Sequence, residues 1–135
     1  MRALVDTGAL LALSSRRDQY HKRAIALADK HLSSGGRFVG TTMILGELHS
    51  HLLYLRGIND ARAALMQLLD DPAHEWLDVS ATVVREAGSG WLARFPDQRF
   101  SLIDAVSFEI MRRERITHAF AFDQHFEVAG FTLLR

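Results

Sequence analysis

The chain has 135 residues, no cysteine, 48% hydrophobic residues, and equal numbers of basic and acidic side chains at 16 each. This size sets one domain, residues 1–135, as the expectation, with a core that needs no disulfide staples. The missing thiols exclude a disulfide framework and a thiolate zinc site, and zero net charge gives no global pull toward nucleic acid, although a local basic rim can suffice and neutral chains self-associate readily.

The chain begins "MRALVDTGALLALSSRRDQY". Asp6 breaks the first apolar run, which a signal peptide would not tolerate. No apolar stretch is long enough to cross a bilayer. A soluble, cytoplasmic protein is the expectation.

"RALVD" (2–6) reads as a short apolar strand, and "TGALLAL" starts a helix. Residues 18–32 read as a second helix, with Ile25, Leu27, Ala28 and Leu32 spaced to form its apolar face. "SSGG" (33–36) stops it, and "RFVG" (37–40) is a second strand. Thr41 or Thr42 caps a helix that runs to about Arg56 and ends at Gly57. Asn59 caps the next, with Ala61, Leu65, Leu68 and Leu69 on one side. "WLDV" (76–79) is a third strand. Ser80 starts a helical region carrying Val84, Trp91 and Phe95, loosened by Gly88 and Gly90. Ser101 opens the helix "LIDAVSFEIMRRE". "HAFAF" (118–122) is a fourth strand and "FTLL" (131–134) a fifth. This alternation predicts an α/β protein, a three-layer α/β/α sandwich with a central, mostly parallel sheet. Strands covered on both faces are uniformly apolar, as "ALV" and "AFAF" are.

Four acids interrupt these apolar runs. Asp6 follows the first strand and Asp123 the fourth, at the carboxyl edge where open parallel sheets bind ligands. Glu47 lies in "TTMILGELHSHLL", and Asp104 in "SLIDAVSF". Each has an ordinary structural role open to it. Asp6 can cap the following helix. Ser101 and Asp104 can form a capping box. Asp123 can cap a turn beginning at Gln124, and Glu47 can be solvated on a helix edge. Together, four carboxylates at one edge would repel one another unless a strong positive charge lay among them. No Lys or Arg adjoins any of them in sequence, so a divalent cation is the natural partner. Oxygen-only ligands select Mg²⁺ or Mn²⁺. Such an ion acidifies a water and stabilises charge building on a phosphodiester.

The blocks "LVDTGALLAL", "TTMILGEL", "SLIDAVSFEIM" and "AFAFDQHFEVAGF" resemble the four acidic blocks of PIN-domain nucleases. The resemblance covers nearly the whole chain in the right order, and a short single chain of this kind is most similar to VapC, the toxin of type II toxin–antitoxin modules. The resemblance implies a PIN-like α/β/α fold, Mg²⁺- or Mn²⁺-dependent endonucleolytic cleavage of RNA, and inhibition by a cognate antitoxin. Carried over by position, Asp6, Glu47 and Asp104 are the main catalytic metal ligands and Asp123 assists. One departure stands out. Ala121 occupies the place, two residues before the last acid, where many PIN domains have Ser or Thr, so a polar support for Asp123 is missing.

Among the remaining candidates, His49 and His51 lack the partners of a zinc site, and His125 lies close to Asp123 with a turn role equally open to it. Arg16, Arg17 and Arg99, each in a loop or helix start near an acidic block, are the candidate RNA-phosphate contacts. Leu45, Leu53 and Tyr54 lie off the main apolar stripe of their helix, where a homodimer face is as open as ordinary packing. Two alternatives stand beside the nuclease. One is an aspartyl-phosphate protein, a phosphatase or receiver, which wants a second acid where this chain has Gly8 or has none. The other is a non-catalytic PIN-like module that only binds a partner.

Overall fold

The computed structural model describes all residues, 1–135. Five strands form one sheet: β1 (Arg2–Val5), β2 (Arg37–Thr41), β3 (His74–Leu77), β4 (His118–Phe120) and β5 (Thr132–Leu133), in the order β3-β2-β1-β4-β5. Every pairing is parallel. Ala3, Leu4 and Val5 of the central strand are wholly buried, as a strand covered on both faces must be.

The crossovers carry α1 (Thr7–Ser14), α2 (His21–Ser33), α3 (Thr42–Arg56) and α4 (Ile58–Asp70) on the way to β3. The chain then returns past β2 and β1 through α5 (Ala81–Glu86), a π-helical continuation (Ala87–Leu92) and α6 (Leu102–Glu114), and reaches β5 through α7 (His125–Val128). Because parallel crossovers are right-handed, this reversal of direction puts the two sets of helices on opposite faces. The packing agrees: α1 touches α2 and α3, and α3 touches α4, while α6 touches α5, the π-helical turn and α7. The expected three-layer α/β/α architecture with a parallel sheet is what the chain forms.

Local chemistry sets the helix limits. Thr41 accepts a hydrogen bond from the Ile44 amide at 3.2 Å, and Ile44, Leu48 and Leu52 then recur at the spacing that buries one face. Gly57, at φ 90°, ends α3 and starts α4 at once. So Gly57, not Asn59, is the cap, and the helix begins at Ile58, two residues earlier than an Asn59 cap would set it. Ser80 caps α5 through the Val83 amide at 3.2 Å. The loosening expected at Gly88 and Gly90 takes the form of the π-helical turn, which brings Trp91 against Phe108 at 5.4 Å between ring centres.

Several boundaries and faces differ from the sequence expectation. In α2 the buried residues are Ala24, Ala28 and His31, while Ile25 and Leu32 are exposed. Small alanines allow close approach to α1, and His31 fits because its ring packs on Phe38 at 4.9 Å and its Nε2 meets the Arg37 carbonyl at 2.9 Å. The helix begins at His21, not at 18, because Asp18 turns the chain by accepting from the Tyr20 amide. In α4 only Ala61 is fully buried and Leu69 is exposed, since α4 packs chiefly on α3. Leu45, placed by its pattern on an outer face, is buried. The third strand is 74–77 instead of 76–79, because β2 pairs from Phe38 with His74 to Thr41 with Leu77 and then ends. The fourth stops at Phe120, the partner of the last β1 residue, Val5. Ala121 and Phe122 are therefore outside the ladder, carrying the chain from the sheet to Asp123.

Candidate active site at the strand switch point

From β1 the chain moves one way across the sheet to β2 and β3, then returns to place β4 on the other side of β1. The crevice beyond the carboxyl ends of β1 and β4 is thus the topological switch point, where α/β sheets bind ligands. Asp6 leaves β1 there, and its amide donates to the Phe120 carbonyl of β4 at 3.0 Å. Asp123 leaves the β4 edge shortly beyond Phe120. α3 follows β2 directly and carries Glu47, and the first turn of α6 carries Asp104.

Asp6 is the buried centre of the group, 8% exposed. It occupies the N-cap position of α1, yet its carboxylate makes no capping hydrogen bond. Its pKa is pushed up to about 7, first by burial, then by the negative charges of Asp123 and Asp104, with Glu47 adding to them and the Thr7 amide opposing. The four acids singled out in sequence therefore bear on one point. The Thr7 hydroxyl beside Asp6 is buried without a partner.

Asp104 does form the capping box: its amide donates to the Ser101 hydroxyl at 3.0 Å, and its Oδ2 accepts from the Ser101 amide at 3.0 Å. The same Oδ2 lies 3.0 Å from His125 Nδ1, so Oδ1 remains free. Asp123 Oδ1 accepts from the His125 amide at 3.0 Å, which gives Asp123 the turn-capping role open to it in sequence. His125 thus ties two of the acids together, one through its ring and one through its backbone. Its place beside Asp123 was legible; its reach to Asp104 was not, because the two meet only through the packing of α6 against α7. Another feature without a sequence signal is the stack of Tyr20 on Phe122, with centroids 4.5 Å apart and planes within 5°. The residues come from distant parts of the chain. Both rings line a cleft of ≈ 340 Å³ with Asp6 and Asp123.

No Lys or Arg lies within ion-pair distance of any of the four acids; Asp104 alone has a partner, His125. As the side chains stand, no three His, Asp or Glu groups gather around one point at ligating distance. The two observations are compatible. Unpaired carboxylates near one point repel one another, and a cation among them is what would favour their closer approach. The donor set is all oxygen, its central carboxylate is buried and uncompensated, and it fits a hard divalent cation.

Arg16 and Arg17 are exposed on a second cleft of ≈ 600 Å³, which shares Leu11 and Asp18 with the acidic one. Arg99 is exposed just before α6. His49 is half-buried and His51 exposed on α3, and neither makes a hydrogen bond or an ion pair.

The PIN-domain family model matches residues 3–131. This chain belongs to the PIN-domain family. Within it, the 23S rRNA-specific endonuclease VapC20 of Mycobacterium tuberculosis, in strains CDC 1551 / Oshkosh and ATCC 25618 / H37Rv, is 44% identical over 45 residues. That match covers 33% of this PIN domain and 34% of the relative, so it spans only about a third of the length of the curated proteins. The crystal structure of Mycobacterium tuberculosis VapC20, described as a sarcin-ricin loop cleaving toxin, superposes with a TM-score of 0.85 at 28% identity, covering 96% of each chain. VapBC2 of Rickettsia felis, bound to a promoter DNA fragment, gives 0.70 at 14% identity over 98% of this chain and 97% of that one. FitAcB of Neisseria gonorrhoeae gives 0.67 at 14%, over 100% and 97%. The last two likenesses speak to the fold alone.

Proposed function

We propose that this PIN domain is a metal-dependent endoribonuclease that hydrolyses RNA phosphodiester bonds and acts as the toxin of a toxin–antitoxin pair. The observation that carries the reading is the buried Asp6 carboxylate at the switch point, surrounded by three further acids and by no cationic side chain. The likeness to VapC20 along nearly the whole chain supports it. In this reading Asp6, Glu47 and Asp104 hold Mg²⁺ or Mn²⁺, and Asp123 assists from the exposed rim. A bound divalent ion supplies charge neutralisation for the phosphate and a more acidic water. The protein's own contribution is geometric. Ser101 and His125 hold Asp104 Oδ2 and leave Oδ1 without a partner, free to ligate. The His125 amide holds Asp123. Burial keeps bulk water from screening Asp6. Arg16 and Arg17, in the adjoining cleft, are placed to meet flanking phosphates, with Arg99 a further candidate.

The partners follow from the same reading: an RNA substrate, a cognate antitoxin that masks the site, and a second copy of the chain in a homodimer. Exposed Tyr54, Leu55 and Ile58 at the α3–α4 corner supply the apolar surface for that second copy. No helix is long and apolar enough to cross a membrane, and RNA as substrate would place the work in the cytoplasm. Nothing at the site favours an aspartyl-phosphate protein: Gly8 stands where a phosphatase wants its second acid, and no lysine reaches Asp6. The test is cleavage of total RNA with Mg²⁺ or Mn²⁺ by the purified chain and its Asp6→Asn variant. We expect cleavage to be lost in the variant while its circular dichroism is retained. Undiminished cleavage by a folded Asp6→Asn protein would sink the proposal.

A further inference from the structure

We propose that Tyr20, backed by Phe122, is a stacking platform that seats one nucleobase of single-stranded RNA beside the phosphate to be cut; this rests on the nuclease reading and deepens it. The geometry begins with the backbone. The Asp18 carboxylate accepts from the Tyr20 amide at 2.8 Å, and the Asp18 carbonyl accepts from the His21 amide at 3.1 Å. The residue that carries the ring is thereby fixed at the entrance to α2. The ring lies parallel to Phe122, which is itself held edge-on by Phe120 at 5.9 Å and approached by the Arg23 guanidinium at 5.9 Å. A buttressed aromatic pair thus stands next to Asp123, on the wall of the cleft that contains Asp6.

The surroundings argue against simple core filling. Tyr20 keeps 38% of its surface exposed, and Phe122 is its only aromatic neighbour. The Tyr20 hydroxyl makes no hydrogen bond within the chain. The other polar groups of this wall are acidic or amide: Asp6, Asp18, Gln19 and Asp123. Without a bound cation this acidic cleft repels a phosphate backbone, and Arg16 and Arg17 line the adjoining cleft, not this one. Stacking is indifferent to that charge. Every base has a π face, and a base on an aromatic ring contributes on the order of 1–3 kcal/mol. Unpaired RNA bases, splayed out and stacked, are also what proteins ordinarily read. Tyr20 is the surface of this cleft that can take one.

The experiment uses the full chain carrying Asp6→Asn, which holds RNA uncut, and measures fluorescence anisotropy with labelled single-stranded oligoadenylate and with a ribose-phosphate strand lacking bases. Adding Tyr20→Phe keeps the ring and is expected to leave affinity for oligoadenylate within about twofold. Adding Tyr20→Leu still covers Phe122 but has no π face, and is expected to weaken binding by about 5- to 100-fold. On the abasic strand, proteins with and without Tyr20→Leu should bind equally weakly. Equal binding of oligoadenylate by both proteins, or the same loss on the abasic strand, would overturn the platform and leave Tyr20 a structural residue. Tyr20→Trp gives an independent reading if the leucine variant fails to fold: its emission should be quenched as oligoadenylate is added, and unchanged emission at saturation counts against the proposal. A platform that fails while the unmutated chain still cleaves RNA leaves the nuclease reading standing. Failure of every form to bind RNA removes both.

Discussion

Asp6 is poised between two charges. A carboxyl whose pKa rises from 3.8 to about 7 on folding takes up protons in the native state between those values. Stability is then full below pH 4, falls as pH rises through 7, and stays low above it; the shift corresponds to on the order of 4 kcal/mol. Metal-free wild-type protein should therefore melt lower at pH 8 than at pH 5, and Asp6→Asn should lack that loss and melt several degrees higher than wild type at pH 8. Scanning calorimetry across this range checks it, and identical profiles for the two proteins would contradict it. Mn²⁺ should raise the wild-type melting temperature more than the variant's. Asp123 sits at the exposed rim, held by a backbone amide and lacking the polar neighbour that Ala121 replaces. Asp123→Asn should reduce cleavage less than Asp6→Asn, and single-turnover rates would show the reverse order if the ranking is wrong. Glu109, by contrast, has a structural job. It is 3% exposed and accepts from Arg112, Arg113 and the Trp91 indole. Hydrogen bonds from Arg112 lead in holding its pKa down at about 2. The stability it brings is present above its usual range and lost as pH falls from about 4.5 toward 2. Glu109→Gln should destabilise the fold by about 1–3 kcal/mol in urea titration at pH 7.

At the scale of elements, close packing decides what the sheet tolerates. Gly40 of β2 faces Trp76 of β3 in register, and a methyl group added there would run into the indole ring. The ring is further fixed by its Nε1–H on the Leu68 carbonyl at 2.9 Å, so it cannot easily give way. Gly40→Ala should destabilise by about 1–3 kcal/mol, read as a lower urea midpoint at an unchanged slope; an unchanged midpoint would show that the indole yields. The helix ends show how far local sequence reaches. Ser101 with Asp104, Thr41, Ser80 and Gly57 are all chemical signals that act over three or four residues, and each is where the chain indicated. The face of α2 is the counterexample. Its pattern of Ile25 and Leu32 pointed to one side, yet the helix buries Ala24, Ala28 and His31, because the neighbouring helix demands small side chains and Phe38 offers His31 a ring.

For the whole molecule, the unmatched surface lies at the α3–α4 corner. Tyr54 is 90% exposed and Ile58 74%, and large apolar groups exposed side by side on a protein without net charge favour association. Light scattering should give a dimer mass for the wild type and a monomer mass for a Tyr54→Arg, Ile58→Arg double variant. The same mass for both would place any dimer contact elsewhere.

The order of the strands and of the long helices, the caps at Thr41, Ser80 and Ser101, and the four acids that interrupt apolar runs were legible in the sequence alone, because hydrophobic period and capping chemistry act over a few residues. The tertiary structure decided what those acids do to each other. Asp6 is buried because β1 lies in the middle of the sheet, and it feels Asp123 and Asp104 because β4 returns to its flank. The reach of His125 to Asp104 and the stack of Tyr20 on Phe122 depend on the same reversal of chain direction. Contacts between residues so distant in the chain leave no local pattern, since only the packing of whole elements brings them within ångströms.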